Sequence, residues 1–327
     1  AESMQPMIGR LYRNQGVEIL VYGRSLVNAT TIDIVKAHKT VARYESNKLR
    51  LRESFPVLQA ISELELAPGR VDLGKLAYAR LYKGAAPGVP LTQYIQRQLE
   101  PIVGREDSIG STDVVLYGFG RIGRLVARLM LESAGPSSKL KLRAIVVRGG
   151  KPGDLEKRAS LLRRDSVHGP FNGSITVDHE RQQIRANGTL IQVIYAQSPE
   201  AVDYTQYGID HALVIDNTGI WKDRQALAIH FKARGAAKVL VTAPAKGDVK
   251  NIVHGVNDWM LQPDDTIVSA ASCTTNAITP VLKAINDKFG ILDGHVETVH
   301  AYTNDQHLID NYHSADRRGR SAALNMV

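Results

Sequence analysis

Cysteine is nearly absent from this sequence, since Cys273 is the only one among 327 residues. A single cysteine excludes any disulfide within the chain and any zinc site built on more than one thiolate, and we predict no metal site. Long apolar runs are also missing: residues 144–147 are typical of the runs present, whereas a membrane-spanning helix needs about 20 residues. We therefore do not expect a membrane protein. Cys273 is either a structural cysteine without a chemical role or a reactive thiol.

Acidic residues are outnumbered, with 33 Asp and Glu against 41 Lys and Arg and a formal net charge of +8 at pH 7. This surplus favours anionic partners, from phosphorylated metabolites to nucleic acid, without choosing among them. The first residues lack the basic and then apolar pattern of a secretory signal. We therefore expect a cytoplasmic location.

Residues 1–111 contain no combination of side chains typical of a catalytic site. Their apolar residues recur at helical spacing, as in the face formed by Leu91, Tyr94 and Ile95, and three similar faces precede it. Proline-glycine pairs separate the predicted helices. We predict a helical N-terminal extension with a structural or assembly role.

The pattern changes at about residue 112, where strand-length apolar runs begin to alternate with helical segments. A strand over 114–117 precedes a helix over 121–132. Further predicted strands cover residues 142–147, 190–195, 212–216, 239–242 and 266–270. Such alternation predicts an α/β fold with a mainly parallel sheet covered by helices.

A G-x-G-x-x-G pattern connects the first strand and helix of this region, with glycines at Gly118, Gly120 and Gly123. The first two permit a tight turn and the close approach of a pyrophosphate to backbone N–H groups, and the third lets helix and strand pack closely. In this setting the pattern favours a Rossmann-type dinucleotide site, and a simple glycine-rich turn is the alternative.

The residue expected to hold the cofactor's ribose is missing from its usual place. NAD sites commonly have an acidic residue about 20 residues beyond the turn, but here Arg148 follows the second strand and the next acid is Asp154. A guanidinium suits a 2′-phosphate, so we hypothesise that the protein accepts NADP as well as NAD. The alternative is that Arg148 points to solvent while Asp154 or a backbone group serves the ribose.

Cys273 follows a predicted strand and precedes an apolar helical run, so its thiol lies at a helix N-terminus. The helix dipole and nearby N–H groups there favour thiolate and lower the pKa of a thiol. His300 follows a predicted strand over 295–299, from which its imidazole could reach Cys273 and act as a base. A buried structural cysteine is the alternative.

Six segments from residue 113 onward occur in the order found in one enzyme family. They are Gly118-Phe119-Gly120-Arg121-Ile122-Gly123-Arg124, Asp165-Ser166-Val167-His168-Gly169, Asn217-Thr218-Gly219, Thr242-Ala243-Pro244, Ser272-Cys273-Thr274-Thr275-Asn276 and His300-Ala301-Tyr302-Thr303. In these six segments the chain resembles the phosphorylating glyceraldehyde-3-phosphate dehydrogenase family. The resemblance implies that Cys273 is the nucleophile and His300 its partner. It also places Arg121 and Ile122 at the cofactor pyrophosphate, Thr218, Gly219 and Thr242 along the rest of the groove, and Ser272, Thr274 and Thr303 at bound phosphate.

The implied reaction is NAD(P)-dependent oxidative phosphorylation of glyceraldehyde 3-phosphate to 1,3-bisphosphoglycerate through a cysteine thioester. The implied setting is a cytoplasmic homotetramer of glycolysis or gluconeogenesis. A close alternative is an erythrose-4-phosphate dehydrogenase, in which water resolves the thioester. An alternative of another class is a non-catalytic regulatory or RNA-binding relative, although the extension lacks the interleaved aromatic and basic residues of a single-strand binder. We therefore do not expect a nucleic-acid partner.

The chain departs from the family pattern on the cofactor side and at both ends. Tyr117 stands where an asparagine is common, Arg148 falls near a usual aspartate, and Gln197 replaces an arginine often found near the adenine. We divide the chain into a helical extension (1–111), a dinucleotide-binding Rossmann domain (112–272) and a truncated first part of an α+β catalytic domain (273–327).

Overall fold

The computed structural model describes residues 1–104, 111–134, 138–303, 306–312 and 319–324. The chain divides into two compact units. The first comprises Ala1–Asn251 with Gln262–Ala270, and the second comprises Ile252–Leu261 with Ala271–Val327.

The N-terminal part of the first unit contains five helices and a small sheet. The helices are α1 (Met4–Arg10), α2 (Thr31–Thr40), α3 (Leu51–Ser62), α4 (Leu73–Tyr82) and α5 (Leu91–Gln98), and the strands are β1 (Val17–Val21), β2 (Arg24–Ser25) and β3 (Gly69–Asp72). Leu58, Ile61 and Ile95 are fully buried in a separate hydrophobic core. The predicted helices are confirmed. The sheet, in the order β2-β1-β3, was not predicted.

The rest of the first unit forms a larger α/β arrangement. Its strands are β4 (Thr112–Tyr117), β5 (Leu140–Val147), β6 (Arg164–Asp165), β7 (Gly169–Pro170), β8 (Ile175–Asp178), β9 (Gln183–Ala186), β10 (Thr189–Tyr195), β11 (Ala212–Asp216), β12 (Ala236–Val241), β13 (Lys250–Asn251) and β14 (Ile267–Ser269), and its helices are α6 (Arg121–Glu132), α7 (Asp154–Arg163) and α8 (Arg224–Leu227).

Nine of these strands form one sheet in the order β13-β14-β12-β11-β4-β5-β10-β9-β8. The seven strands from β13 to β10 are parallel, and β9 and β8 add an antiparallel edge. Along β4, Val114 and Leu116 enter one buried cluster while Val115 and Tyr117 enter another. Side chains of a strand alternate between its faces, so both faces of this sheet are covered, as in a Rossmann-type fold. The predicted fold class is confirmed.

The second unit contains α9 (Cys273–Phe289), the helix predicted to follow Cys273. Its N-cap is Ser272, whose hydroxyl oxygen accepts a hydrogen bond from the Thr275 N–H at 2.9 Å. The strand predicted over 295–299 is wrong: these residues are exposed and have no sheet partner within the described chain. In the described regions, no helix combines the length and apolar character needed to cross a membrane.

Candidate functional site

The glycine turn between β4 and α6 is built on three glycines with different surroundings. Gly118 has a φ of 89°, and a Cβ there would come within 2.9 Å of Thr218 Cγ2. A Cβ at Gly123 would lie 2.4 Å from the Gly118 carbonyl oxygen, which shows how closely the helix packs on the turn. A Cβ at Gly120 would meet no atom within 4 Å. Gly118 and Gly123 are therefore required by the fold, whereas the space beside Gly120 is open to a ligand.

The N-terminus of α6 suits an anion. Gly120 is its N-cap, no side chain caps it, and no acidic residue stands in its first turn. Its N–H groups and the positive end of the helix dipole therefore remain available for a pyrophosphate. The two predicted pyrophosphate residues open this helix: Arg121 Nε lies 3.9 Å from Asp165 Oδ2, and Ile122 is half exposed.

A cavity of about 340 Å³ lies beside the glycine turn. Predicted cofactor residues among those that line it are Gly118, Gly120, Arg148 and Thr218. Gly219 follows Thr218 with a φ of 67°, and Thr242 donates hydrogen bonds from its N–H and hydroxyl to the Asp216 carbonyl oxygen at 2.9 and 3.1 Å. The open space at Gly120 and the uncapped helix fit a dinucleotide. Such a cofactor would be held by the α6 N-terminus and the walls of this cavity.

Two arginine residues line the cavity, one directly after β5 and one on α7. They are Arg148 and Arg158. Arg158 Nε donates to Asp154 Oδ2 at 2.6 Å, and its Nη2 donates to the Arg148 carbonyl oxygen at 2.7 Å. Asp154 itself lines a separate cavity with Gly150 and Lys151. Asp154, the alternative residue for the ribose, is therefore already paired with an arginine.

The thiol and imidazole predicted to act together are in contact within the second unit. Cys273 Sγ lies 3.2 Å from His300 Nε2, and His300 Nδ1 lies 2.6 Å from the Ala301 carbonyl oxygen. Cys273 is exposed in the described chain, unlike the buried structural cysteine that is the alternative. The carbonyl oxygen fixes a proton on Nδ1, which leaves Nε2 facing the sulfur.

The contact moves the pKa values of both groups in the directions that favour an ion pair. The hydrogen bond with His300 lowers the pKa of the Cys273 thiol, the hydroxyl and N–H of Thr274 lower it further, and partial burial opposes them. The bond with Cys273 raises the pKa of His300, and the Ala301 carbonyl adds to the rise. A thiolate beside an imidazolium is a nucleophile beside an acid–base group.

The three predicted phosphate residues are neighbours of this pair in the sequence. Ser272 caps α9, Thr274 stands in its first turn, and Thr303 lies in the loop three residues beyond His300. The Thr303 N–H donates to Gln306 Oε1 at 3.0 Å. The segment Asp316-Arg317-Arg318-Gly319-Arg320-Ser321 carries three arginines, and its residues 316–318 lie outside the described residues.

Comparison with known proteins agrees with this geometry. Residues 112–224 match the family model of the glyceraldehyde 3-phosphate dehydrogenase NAD-binding domain, and residues 272–327 match that of its C-terminal domain. A "glyceraldehyde-3-phosphate dehydrogenase-like protein" of Pseudomonas aeruginosa (strain UCBPP-PA14) is 55% identical over 99% of this chain and 71% of its own length. The chain belongs to the glyceraldehyde-3-phosphate dehydrogenase family.

Further family members match a smaller share of the chain. The glyceraldehyde-3-phosphate dehydrogenase of Thermotoga maritima is 41% identical over 65% of this chain and 61% of its own length. The chloroplastic glyceraldehyde-3-phosphate dehydrogenase A of Zea mays is 41% identical over 65% of this chain and 51% of its own length. The chain therefore covers only part of the length of these two relatives. The resemblance drawn from the six motifs is confirmed.

Two features of this family member were missed in the sequence. One is the pairing of Asp154 with Arg158, whose i, i+4 spacing is a signal only within a helix, and no helix was predicted over 154–163. The other is Asp216, a fully buried acid at the end of β11 whose carboxylate bonds to Thr218 and His230. An acid directly before the Asn-Thr-Gly motif could have suggested the first bond, but His230 is distant in the sequence and gave no signal.

Proposed function

We propose that the protein catalyses NAD(P)-dependent oxidative phosphorylation of glyceraldehyde 3-phosphate to 1,3-bisphosphoglycerate. The observation that carries the proposal is the 3.2 Å contact between Cys273 Sγ and His300 Nε2 at the start of α9, in a chain that also has a dinucleotide-type glycine turn. Family membership supports a dehydrogenase, and the thiol–imidazole pair supports one that works through a cysteine thioester.

The proposed reaction begins when the Cys273 thiolate attacks the aldehyde carbon and forms a carbon–sulfur bond, while the His300 imidazolium donates its proton to the carbonyl oxygen. This gives a hemithioacetal and a neutral imidazole. His300 lies within reach of the reacting centre and takes the hydroxyl proton as the carbon is oxidised. A nicotinamide cofactor, when bound, would supply the two-electron oxidation as the acceptor of hydride from that carbon. Cys273 is left as a thioester. Inorganic phosphate then attacks the acyl carbon, and the thiolate leaves with an acyl phosphate as product.

The substrate and the second reactant both carry phosphate, so the site needs donors and positive charge. Hydroxyl groups of Ser272, Thr274 and Thr303 are the proposed donors, since all three lie next to the thiol–imidazole pair in sequence. The net charge of +8 is consistent with attraction of anionic substrates to the protein.

For the cofactor we propose that NADP is accepted alongside NAD. Arg148 and Arg158 line the cavity beside the glycine turn, and Arg158 engages Asp154. A carboxylate near the ribose would repel a 2′-phosphate, whereas a guanidinium binds it through charge-assisted hydrogen bonds. We also propose, from family resemblance, a homotetramer that works in the cytoplasm in glycolysis or gluconeogenesis.

The test is reduction of NAD⁺ and NADP⁺ by the protein with glyceraldehyde 3-phosphate, with and without inorganic phosphate. We expect turnover that requires phosphate, and we expect Cys273→Ser to abolish it. Ser138→Ala, in another part of the fold, is the matched control and should keep activity. Turnover that is undiminished in Cys273→Ser would refute the thioester. Turnover of erythrose 4-phosphate at a rate that does not depend on inorganic phosphate would favour the alternative, an erythrose-4-phosphate dehydrogenase in which water resolves the thioester.

A further inference from the structure

A buried acid joins two of the residues proposed to line the cofactor groove. Asp216 ends β11 and is fully buried. Its Oδ1 accepts hydrogen bonds from both the N–H and the hydroxyl of Thr218, each at 2.7 Å. Its carbonyl oxygen accepts from the N–H and hydroxyl of Thr242. One residue therefore fixes the positions of both threonines without lining the cavity surface itself.

Thr218 transmits this constraint to the glycine turn. Its hydroxyl oxygen, while donating to Asp216, accepts a hydrogen bond from the Ile220 N–H at 3.2 Å. Its methyl group lies where a Cβ on Gly118 would approach to 2.9 Å. Thr218 is thus held between Asp216 and Gly118, and a shift of its side chain would change the cavity wall that both residues form.

In the described chain, the other carboxylate oxygen of Asp216 has one hydrogen-bond partner, and that partner is buried. His230 Nε2 lies 3.0 Å from Asp216 Oδ2, and both side chains are completely buried. The Tyr117 and Trp221 rings pack edge-on against the imidazole at centroid distances of 4.9 and 5.3 Å. His230 Nδ1 has no hydrogen-bond partner in the described chain, so a proton on Nε2, donated to the carboxylate, is the tautomer that satisfies the pair.

We propose that His230 is a positioning residue for the cofactor: by holding the Asp216 carboxylate, it sets the geometry of Thr218, which lines the cavity, and thereby the affinity for the dinucleotide. This inference takes one element from the proposed function, the binding of a dinucleotide at the glycine turn. Tyr117 connects His230 with the cofactor cavity directly, because its ring contacts the His230 imidazole and the residue lines the cavity. Removing the imidazole leaves a buried carboxylate oxygen without its donor, which frees Asp216 to turn away from Thr218.

The test is titration of the full chain with NADH and NADPH, followed by nicotinamide fluorescence. His230→Leu should weaken binding of both nucleotides about tenfold, because the buried Asp216 side chain loses a hydrogen-bond donor and no longer holds Thr218 in place. His230→Gln, whose amide N–H can reach the same oxygen, should restore binding to within about threefold of the original protein. In steady state, His230→Leu should raise the KM for the cofactor and leave kcat nearly unchanged.

A stability control separates positioning from general damage. Leu227→Ala removes a fully buried side chain from the neighbouring core and should lower the melting temperature without changing either dissociation constant. If His230→Leu does not fold, Asp216→Asn provides the same comparison and should also weaken binding. Equal loss of affinity in Leu227→Ala, or unchanged affinity in folded His230→Leu, would overturn the inference. An unmutated chain that binds neither nucleotide would instead overturn the proposed function.

Discussion

Cys273 Sγ and His300 Nε2 are 3.2 Å apart, although 27 residues separate them in the chain. The imidazole is held from its other side by the Ala301 carbonyl, 2.6 Å from Nδ1. The sulfur also stands at the N-terminus of a helix of 17 residues, where N–H groups and the helix dipole favour negative charge. These contacts lower the pKa of the Cys273 thiol and support its proposed role as the nucleophile.

The thiol should therefore be more acidic than an ordinary cysteine, and His300 should be the main cause. Because the pKa of Cys273 is lowered, its thiolate forms at lower pH, and the alkylation rate with iodoacetamide should rise with a midpoint below that of a free thiol. His300→Ala should move this midpoint upward and slow alkylation at neutral pH about tenfold. His295→Ala, in an exposed part of the same segment, should leave the profile unchanged. A midpoint that stays in place in His300→Ala would contradict the assignment.

Replacing the second and the third glycine of the turn by alanine should have different effects on stability and on cofactor binding. Gly123→Ala would place a Cβ 2.4 Å from the Gly118 carbonyl oxygen, so it should lower the free energy of unfolding by about 2 kcal/mol or more. Gly120→Ala meets no protein atom within 4 Å and has ordinary φ, so the fold should be nearly unaffected while dinucleotide binding is lost. Denaturant unfolding and NADH titration measure the two effects. Strong binding by Gly120→Ala would place the cofactor elsewhere.

Arg148 should discriminate between the two nicotinamide cofactors. Arg148→Asp replaces a cation beside the cavity by a carboxylate, so it should weaken NADPH binding by about tenfold to a hundredfold and leave NADH binding similar or stronger. Arg185→Asp makes the same charge change at an exposed site on β9 and controls for net charge. The measurement is the ratio of kcat/KM, or of dissociation constants, for the two cofactors. A strong NAD preference before and after Arg148→Asp would contradict a role in 2′-phosphate binding.

The parallel sheet was predictable because its strands are short, apolar and separated by helices. Strands β5, β10 and β11 lie within two residues of their predicted bounds, since burial on both faces leaves a continuous apolar signal. The small sheet near the N-terminus was not predicted. β2 has two residues and both are exposed, and β3 has one fully buried residue in four, so neither carries the alternation that identifies a strand.

The candidate site was predictable where one local segment forms it and unpredictable where distant residues meet. The glycine turn lies within six consecutive residues, and the Cys273 position follows from a strand and helix next to each other. The pairing of Asp154 with Arg158 became evident only in the structure, because the i, i+4 relation matters only once a helix is known to contain both residues. His230 is joined to Asp216 only by the fold, since the intervening chain leaves β11 and returns to it.

Ser272 should have two separable roles, since its hydroxyl oxygen caps α9 and the residue also precedes the nucleophile. The oxygen accepts from the Thr275 N–H at 2.9 Å, so Ser272→Ala should destabilise the protein by about 1 kcal/mol. Ser272→Asp retains an N-cap acceptor and should preserve most of that stability. Its carboxylate, however, stands beside Cys273 and should raise the pKa of the thiol and the KM for phosphate, because like charges repel. Thermal unfolding together with phosphate-dependent turnover measures both roles. If Ser272→Asp kept the original KM for phosphate, phosphate would bind away from the start of α9.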